Sequence, residues 1–345
     1  MMKKSRSRIL WGCLCAVGCE TLFGLSYICT KEATQAASAL TLLGWRFFVA
    51  AAFMALCAAS GRVQVRWKGK PRKPLLAVAL CNPVVYFVAE TVGISRTTAS
   101  ESGAFLACIP AVSLLASTLL LGKSPRKHQV AGIAVTLAGV LTAVLAAGAS
   151  ASFSLSGYAV LTIAVLSYAL YSVSVEKAAA YTGAELTMAM MAAGAAVFIP
   201  LALAEGWHTE TLAYSLCLPL TNSAFLAAVL YQGVGCSVLA FFLSNIAIAS
   251  IGVNRTASFI GISTVVSIVA GVTLLGETFS LMQTIGVAVI LAGVYIANAN
   301  IGKSNGMQPT KYLLPVHEIS RFAFSAKKYF MNRHFFTYIF SLSSL

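Results

Sequence analysis

A chain of 345 residues that is 59% hydrophobic and only 10% charged, with mean hydropathy +0.84, cannot clothe a water-facing surface, because soluble proteins carry about 25% charged residues. It has no aspartate, ten glutamates and 24 Lys and Arg, for a formal charge of +14. The basic residues sit in short loops and tails beside apolar runs, not along one helix face, which argues against a nucleic-acid surface and for a polytopic membrane protein, since runs of roughly 20 apolar residues cross a bilayer as helices.

The chain opens on a basic stretch, MMKKSRSR (1–8), that leads into an apolar run from residue 9 to about 30. That run is long and ends in no small-x-small cleavage site, so it reads as a retained first helix and not as a signal peptide. Nine further spans follow at roughly 39–60, 74–94, 99–121, 129–148, 156–175, 184–204, 224–247, 254–275 and 281–300, with short connections. The expected fold is therefore an all-α membrane protein of ten transmembrane helices. Trp11, Trp45, Trp67 and Trp207 fall near span ends, where amphipathic rings settle at the interface. Pro83, Pro110 and Pro200 are expected to kink their helices, Pro110 freeing a carbonyl in mid-membrane. Gly103, Ala107 and Ala111 recur every four residues, as do Ala257, Gly261 and Val265. Such stripes serve close helix packing or line a cavity. Residues 301–345 turn to Ser, Asn, Lys and aromatics, as an interfacial cytoplasmic segment or a disordered extension would.

Two stretches of this chain repeat each other. Residues 112–140 and 266–294 agree at 14 of 29 positions without a gap, including Gly122/Gly276, Gln129/Gln283, Gly132/Gly286 and Gly139/Gly293. The matched spans are the fourth and fifth against the ninth and tenth, so the copies are five-helix units, 9–148 and 156–300. An odd number of helices per copy forces the second to enter the membrane inverted, the arrangement of many secondary carriers. Charge agrees: with the N-terminus inside, 20 of the 24 Lys and Arg lie in cytoplasmic loops and tails. Both termini then face the cytoplasm.

Ionisable groups inside spans cost roughly 2.5–3.5 kcal/mol at the bilayer centre on insertion scales, so they persist facing a cavity or a partner. Glu20, Arg46 and Glu90 are expected to border one polar cavity open to the outside. A carboxylate there binds a cationic group or carries a proton, and arginine holds a substrate carboxylate through two parallel hydrogen bonds. The competing expectation is a Glu–Arg pair that merely locks helices. Asn82, Tyr86, Tyr168, Tyr171, Gln232 and Asn245 complete the candidate substrate-binding set, each alternatively serving an interhelical hydrogen bond. Glu101 and Arg255 are repeat-equivalent, yet their helix starts lie on opposite sides of a core about 30 Å thick. Glu101 is thus expected to pair with Arg96 at the outer mouth, and Arg255 with inner-leaflet phosphate, as a gating or ion-pair set. The nine cysteines lie mostly inside spans without CxxC spacing, and the four histidines sit in loops or tails. No metal site, catalytic triad or cofactor is expected. Gly122-Lys123-Ser124 lacks the earlier glycine of a P-loop, since Ser117 stands there.

Four segments resemble the EamA-type carriers of the drug/metabolite transporter superfamily: residues 22–31 (LFGLSYICTK), 166–177 (LSYALYSVSVEK), 44–50 (GWRFFVA) and the duplicated signature at 110–140 and 264–294. Lys123 stands where the family usually has glutamate, whereas Glu277 keeps it, and Phe23 replaces a common tryptophan. The resemblance implies two inverted five-helix repeats, alternating access, and efflux or exchange of small metabolites, amino-acid-like compounds among them, across a plasma membrane. Its partners would be a small-molecule substrate and the lipid bilayer, with homodimerisation open and no nucleic acid. A non-transporting membrane sensor or assembly subunit is the alternative. A lipid-modifying enzyme is less favoured in a chain without aspartate and with scattered histidines.

Overall fold

The computed structural model describes residues 2–61, 63–96, 106, 108–146, 154–275 and 281–298. Those residues form helices and connecting turns and no strand. The first two helices are α1 (Met2–Ala36) and α2 (Ala39–Ala59). Ser38 starts α2 by accepting a hydrogen bond from the Thr41 amide at 3.0 Å, which satisfies one of the donors every helix start leaves open.

The third span is not one helix. It comprises α3 (Arg72–Ala79), a wide-turned segment Leu80–Val85, and α4 (Tyr86–Ser95). The cause lies in the sequence: a residue before proline is driven out of helical conformation, and Asn82, before Pro83, has extended φ −142 and ψ 119. The ladder breaks there, and the Cys81 carbonyl accepts from the Ser167 hydroxyl at 2.6 Å instead. Next come α5 (Ile109–Leu121) and α6 (Lys127–Ala146). Gly122 ends α5 with φ 64, the left-handed position that favours glycine.

The second copy holds α7 (Leu155–Lys177), α8 (Gly183–His208), α9 (Leu212–Thr221), α10 (Ser223–Leu230), a wide-turned segment Tyr231–Ala240, α11 (Phe241–Ile251), α12 (Val253–Ala257), α13 (Gly261–Leu275) and α14 (Leu281–Asn298). Thr182 and Glu185 form a reciprocal capping box at the start of α8. Among the described residues six helical stretches are long and apolar enough to cross a membrane: Ile9–Ser26, Ala39–Ala59, Arg72–Gly93, Leu155–Lys177, Gly183–His208 and Ser223–Ile251. In the last, 83% of the most apolar window is buried, against 33–50% in the others, which makes it the bundle's central helix.

A further helix, α9, occupies the connection after α8. Pro200 lies inside α8. One expectation changes. Pro110 lies in the first turn of α5, where a missing N–H costs nothing, so it frees no mid-helix carbonyl.

The duplicated glycines meet one another. A Cβ on Gly139 of α6 would lie 2.7 Å from the Ile290 amide and 2.8 Å from the Gly286 carbonyl of α14. One on Gly293 would lie 2.7 Å from the Gly132 carbonyl. Residue numbers rise along α6 as they fall along its partner, so the copies of one motif cross antiparallel. Gly261 joins them, its face closed by Thr136 and Ile290. For the Ala257–Gly261 stripe this favours packing over cavity lining; Gly103, Ala107 and Glu101 lie outside the described residues.

Candidate functional site

Arg46 is a buried charge with partners on several helices. It sits on α2, 6% exposed, and its partners come from the wide-turned segment of the central helix. Nε donates to Ser237 Oγ at 2.6 Å and Nη1 to Gln232 Oε1 at 3.4 Å. Gly233 permits that approach, since a Cβ there would lie 3.0 Å from the Arg46 carbonyl. The guanidinium carbon lies 4.6 Å from the Phe87 ring centroid and 5.8 Å from that of Phe47, which adds cation–π attraction in a site with little water. Gln232 is held in turn by α1, its amide donating to Thr30 Oγ1 at 3.0 Å.

Glu90 stands half-buried on α4, within electrostatic reach of Arg46. It accepts a hydrogen bond from Tyr86 at 2.9 Å. No ion pair joins Arg46 to Glu90. The two opposite charges lie within each other's electrostatic reach while each is held by neutral groups. The expected helix-locking Glu–Arg pair is not what these residues make.

Aromatic rings continue the wall. Tyr86 meets Tyr168 at 5.6 Å between centroids, Tyr168 meets Tyr171 at 5.4 Å, and Tyr171 meets Phe241 at 6.3 Å. Phe241 also touches Phe23 at 5.4 Å and Phe87 at 6.4 Å. Glu20 lies on the far side of this wall, 5% exposed, with Ser263 of α13 as its polar neighbour and Tyr168 and Tyr171 in its field. Glu20 and Arg46 thus meet different ends of one run of aromatic contacts.

The remaining candidates divide. Asn245 is committed to structure: Oδ1 accepts from Tyr171 at 2.9 Å and Nδ2 donates to Thr187 at 3.1 Å, tying α11 to α7 and α8. Asn82 is the reverse case. It is fully buried, and neither its amide nitrogen nor its oxygen has a partner, a condition that costs about 1–3 kcal/mol. Arg96 is exposed at the end of α4, and its expected partner Glu101 lies outside the described residues. Arg255, expected to meet inner-leaflet phosphate, is 8% exposed, with Arg126 and the Cys13 thiol of α1 acting on it. Ser237, Phe87, Phe241 and Thr30 escaped the sequence reading, because single hydroxyls and phenylalanines are ordinary in apolar spans.

At one end of the bundle the helices are tied shut. Glu176, at the end of α7, pairs with Lys123 and accepts from the Val253 amide at 3.1 Å. Desolvation lowers the pKa of Lys123. Ser117 donates to Asn254. Beside them Lys70 pairs with Glu185 at 2.6 Å, and Arg66 N–H donates to the same carboxylate at 2.8 Å. The opposite end is joined through α9: Trp45 Nε1 donates to the Ser215 carbonyl at 2.9 Å and Tyr214 to the Ala36 carbonyl at 3.0 Å. Ser38 also donates to Glu205 there.

A helical bundle with a buried, oppositely charged and aromatic interior is a carrier's architecture, and the comparisons agree. The chain is 29% identical over 284 residues, 82% of its length and 91% of the relative's, to the "Uncharacterized transporter YcxC" of Bacillus subtilis. It is 28% identical over 253 residues, 72% of its length and 80% of the relative's, to the "Probable terminal-alkyne amino-acid exporter" of Streptantibioticus cattleyicolor. A solved crystal structure shares the fold with a TM-score of 0.69 at 20% identity, covering 85% of this chain and 98% of that one. The EamA-like transporter family model matches twice, at residues 10–145 and 155–299, the two halves that the glycine motif joins. This multi-pass membrane protein belongs to the EamA-like transporter family.

Proposed function

We propose that the protein is a secondary carrier that exports or exchanges small amino-acid-like metabolites across the plasma membrane by alternating access. Its ten spans form two inverted repeats with both termini in the cytoplasm, as the distribution of Lys and Arg favours. The observation that carries the substrate class is the unpaired opposition of Arg46 and Glu90. A zwitterion bridges it, its carboxylate on Arg46 through charge-assisted hydrogen bonds and its ammonium on Glu90. Its side chain then lies against the rings of Tyr86, Phe87 and Tyr168. Asn82 supplies a donor and an acceptor that have no partner in the protein. The relative named as an amino-acid exporter supports the same class. The test is counterflow of radiolabelled neutral amino acids in liposomes containing the purified chain. Saturable uptake driven by unlabelled internal amino acid is expected, and the same uptake into protein-free liposomes removes the reading.

Asn82 gives a test that separates binding from folding. Asn82→Ala deletes two unsatisfied polar atoms, so thermal stability should change by less than about 1 kcal/mol, the relief offsetting a small cavity. Flux should fall about tenfold if the amide meets substrate. Unchanged flux removes Asn82 from the site.

The tied end carrying Lys123, Glu176 and Val253 is the cytoplasmic gate in this reading, closed while the chamber serves the other side. The Lys123 side chain is 54% exposed, so its pair is worth about 0.2–1 kcal/mol. Glu176→Gln should shift the gate toward open by about two- to fivefold. The readout is maleimide labelling from the cytoplasmic side of a variant retaining only Cys13, on α1 at this end. A labelling rate identical to that of the parent excludes Glu176 as a gate residue.

A further inference from the structure

The tied end of the bundle holds a second buried arginine that the chamber does not use. Arg255 belongs to α12 and follows Asn254, which accepts from Ser117. It is 8% exposed, and its Nη1 is fully buried without a hydrogen-bond partner. A buried guanidinium is costly unless an acceptor of opposite charge meets it. None is offered locally among the described residues. Glu176, the acid of this end, is taken by Lys123 and by the Val253 amide. The groups that act on Arg255 are Arg126, at the exposed start of α6, and the Cys13 thiol of α1.

A second orphan lies on α14, linked to the Arg255 backbone through Ser258. Asn298 of α14 donates to Ser258 Oγ at 2.8 Å, and Ser258 donates to the Arg255 carbonyl at 2.7 Å. The Asn298 Oδ1 is buried with no donor. These residues thus hold unmet groups of both senses, a charged donor and a neutral acceptor, with the Arg126 charge acting on the donor. A carboxylate offers acceptors only. A phosphate group carries about −1.5 to −2 charge near neutral pH when it is a monoester. As hydrogen phosphate it keeps an O–H to donate while its oxygens take the arginines.

We propose that Arg255 and Arg126 form a phosphate-binding site at this end of the bundle, separate from the chamber around Arg46. Its ligand is a phosphate group with an ionisable O–H, presented by a phosphomonoester lipid headgroup or by soluble phosphate. Arg126, being exposed, meets the ligand first, and Arg255 holds it at depth. The site does not depend on the carrier reading, because binding is measured without transported substrate.

The test uses the purified full chain in two kinds of nanodisc. In phosphatidylcholine discs, titrated inorganic phosphate should raise the unfolding midpoint saturably by about 2 °C or more if the source is soluble. In phosphatidylcholine discs that also contain phosphatidic acid and no soluble phosphate, a rise of that size marks the lipid headgroup as the source. In the responding arm Arg255→Gln and Arg126→Gln should each weaken binding by at least about tenfold. Arg255→Lys should restore part of it, and Arg96→Gln, exposed just past α4, should change nothing. Should Arg255→Gln fail to fold, Arg126→Gln alone decides. No rise in either arm, or a rise unaltered by Arg126→Gln, overturns the proposal.

Discussion

Arg46→Gln is expected to lower counterflow of a neutral amino acid by about ten- to a hundredfold while leaving the chain folded. The magnitude follows from what the guanidinium does in the proposed complex. A hydrogen bond to a charged group is worth about 1.5–3 kcal/mol net, and each 1.4 kcal/mol is tenfold in binding. Stability should survive because the protein holds Arg46 through neutral partners, Ser237 at 2.6 Å and Gln232 at 3.4 Å. Glutamine keeps a donor for one of them and removes a buried charge. Arg46→Lys is the informative companion. It retains the charge but not the fork that matches a carboxylate, so flux should be intermediate and the apparent affinity should fall more than the maximal rate. Wild-type flux in Arg46→Gln, measured on monodisperse protein, leaves the zwitterion reading without its anchor.

The second large effect concerns the glycine crossing of α6 and α14. Adding a methyl group to a glycine inside a helix ordinarily gains about 1 kcal/mol of helix propensity. Gly18→Ala on α1 should show that gain or remain neutral, since its new Cβ would meet only the Leu243 Cδ1 atom, at 3.3 Å, the movable end of a side chain. Gly139→Ala should have the opposite sign. Its Cβ would lie 2.7 Å from the Ile290 amide nitrogen and 2.8 Å from the Gly286 carbonyl, backbone atoms that cannot step aside. Overpacking of this kind costs about 1–3 kcal/mol, which exceeds the propensity gain. Gly139→Leu should prevent the two repeats from docking, seen as aggregation in size-exclusion chromatography. Equal thermal midpoints for Gly18→Ala and Gly139→Ala would show that the crossing does not hold the halves together.

Much of this architecture is legible in the sequence, for a physical reason. Lipid leaves the backbone no partner but itself, so apolar runs of span length must be helical, and hydropathy alone marks Ala39–Ala59 or Gly183–His208 to within a few residues. The Pro83 break is equally local, since proline acts on the residue beside it. The ionisable residues Arg46, Glu90 and Glu20 announce themselves by their cost.

Partners are another matter. Helices apolar on every face carry no periodic stripe to say which side meets which neighbour. Nothing along the chain indicates that Arg46 meets Ser237, 191 residues away, or that Phe87 lies beneath its guanidinium. Asn82 and Asn245 look alike in the sequence, yet packing satisfies one and strands the other. Arg255 looks like a residue for the lipid surface until the fold encloses it.

By itself the sequence determined the class, the long apolar spans of the described residues, the duplication and the family, because hydropathy, proline and glycine act locally or by repetition. Only the tertiary structure decided how the duplicated glycines are used, which charges face one another unpaired, and which polar groups are left without a partner. Those are properties of contacts between helices, and a contact is fixed by the shape and chemistry of both surfaces at once.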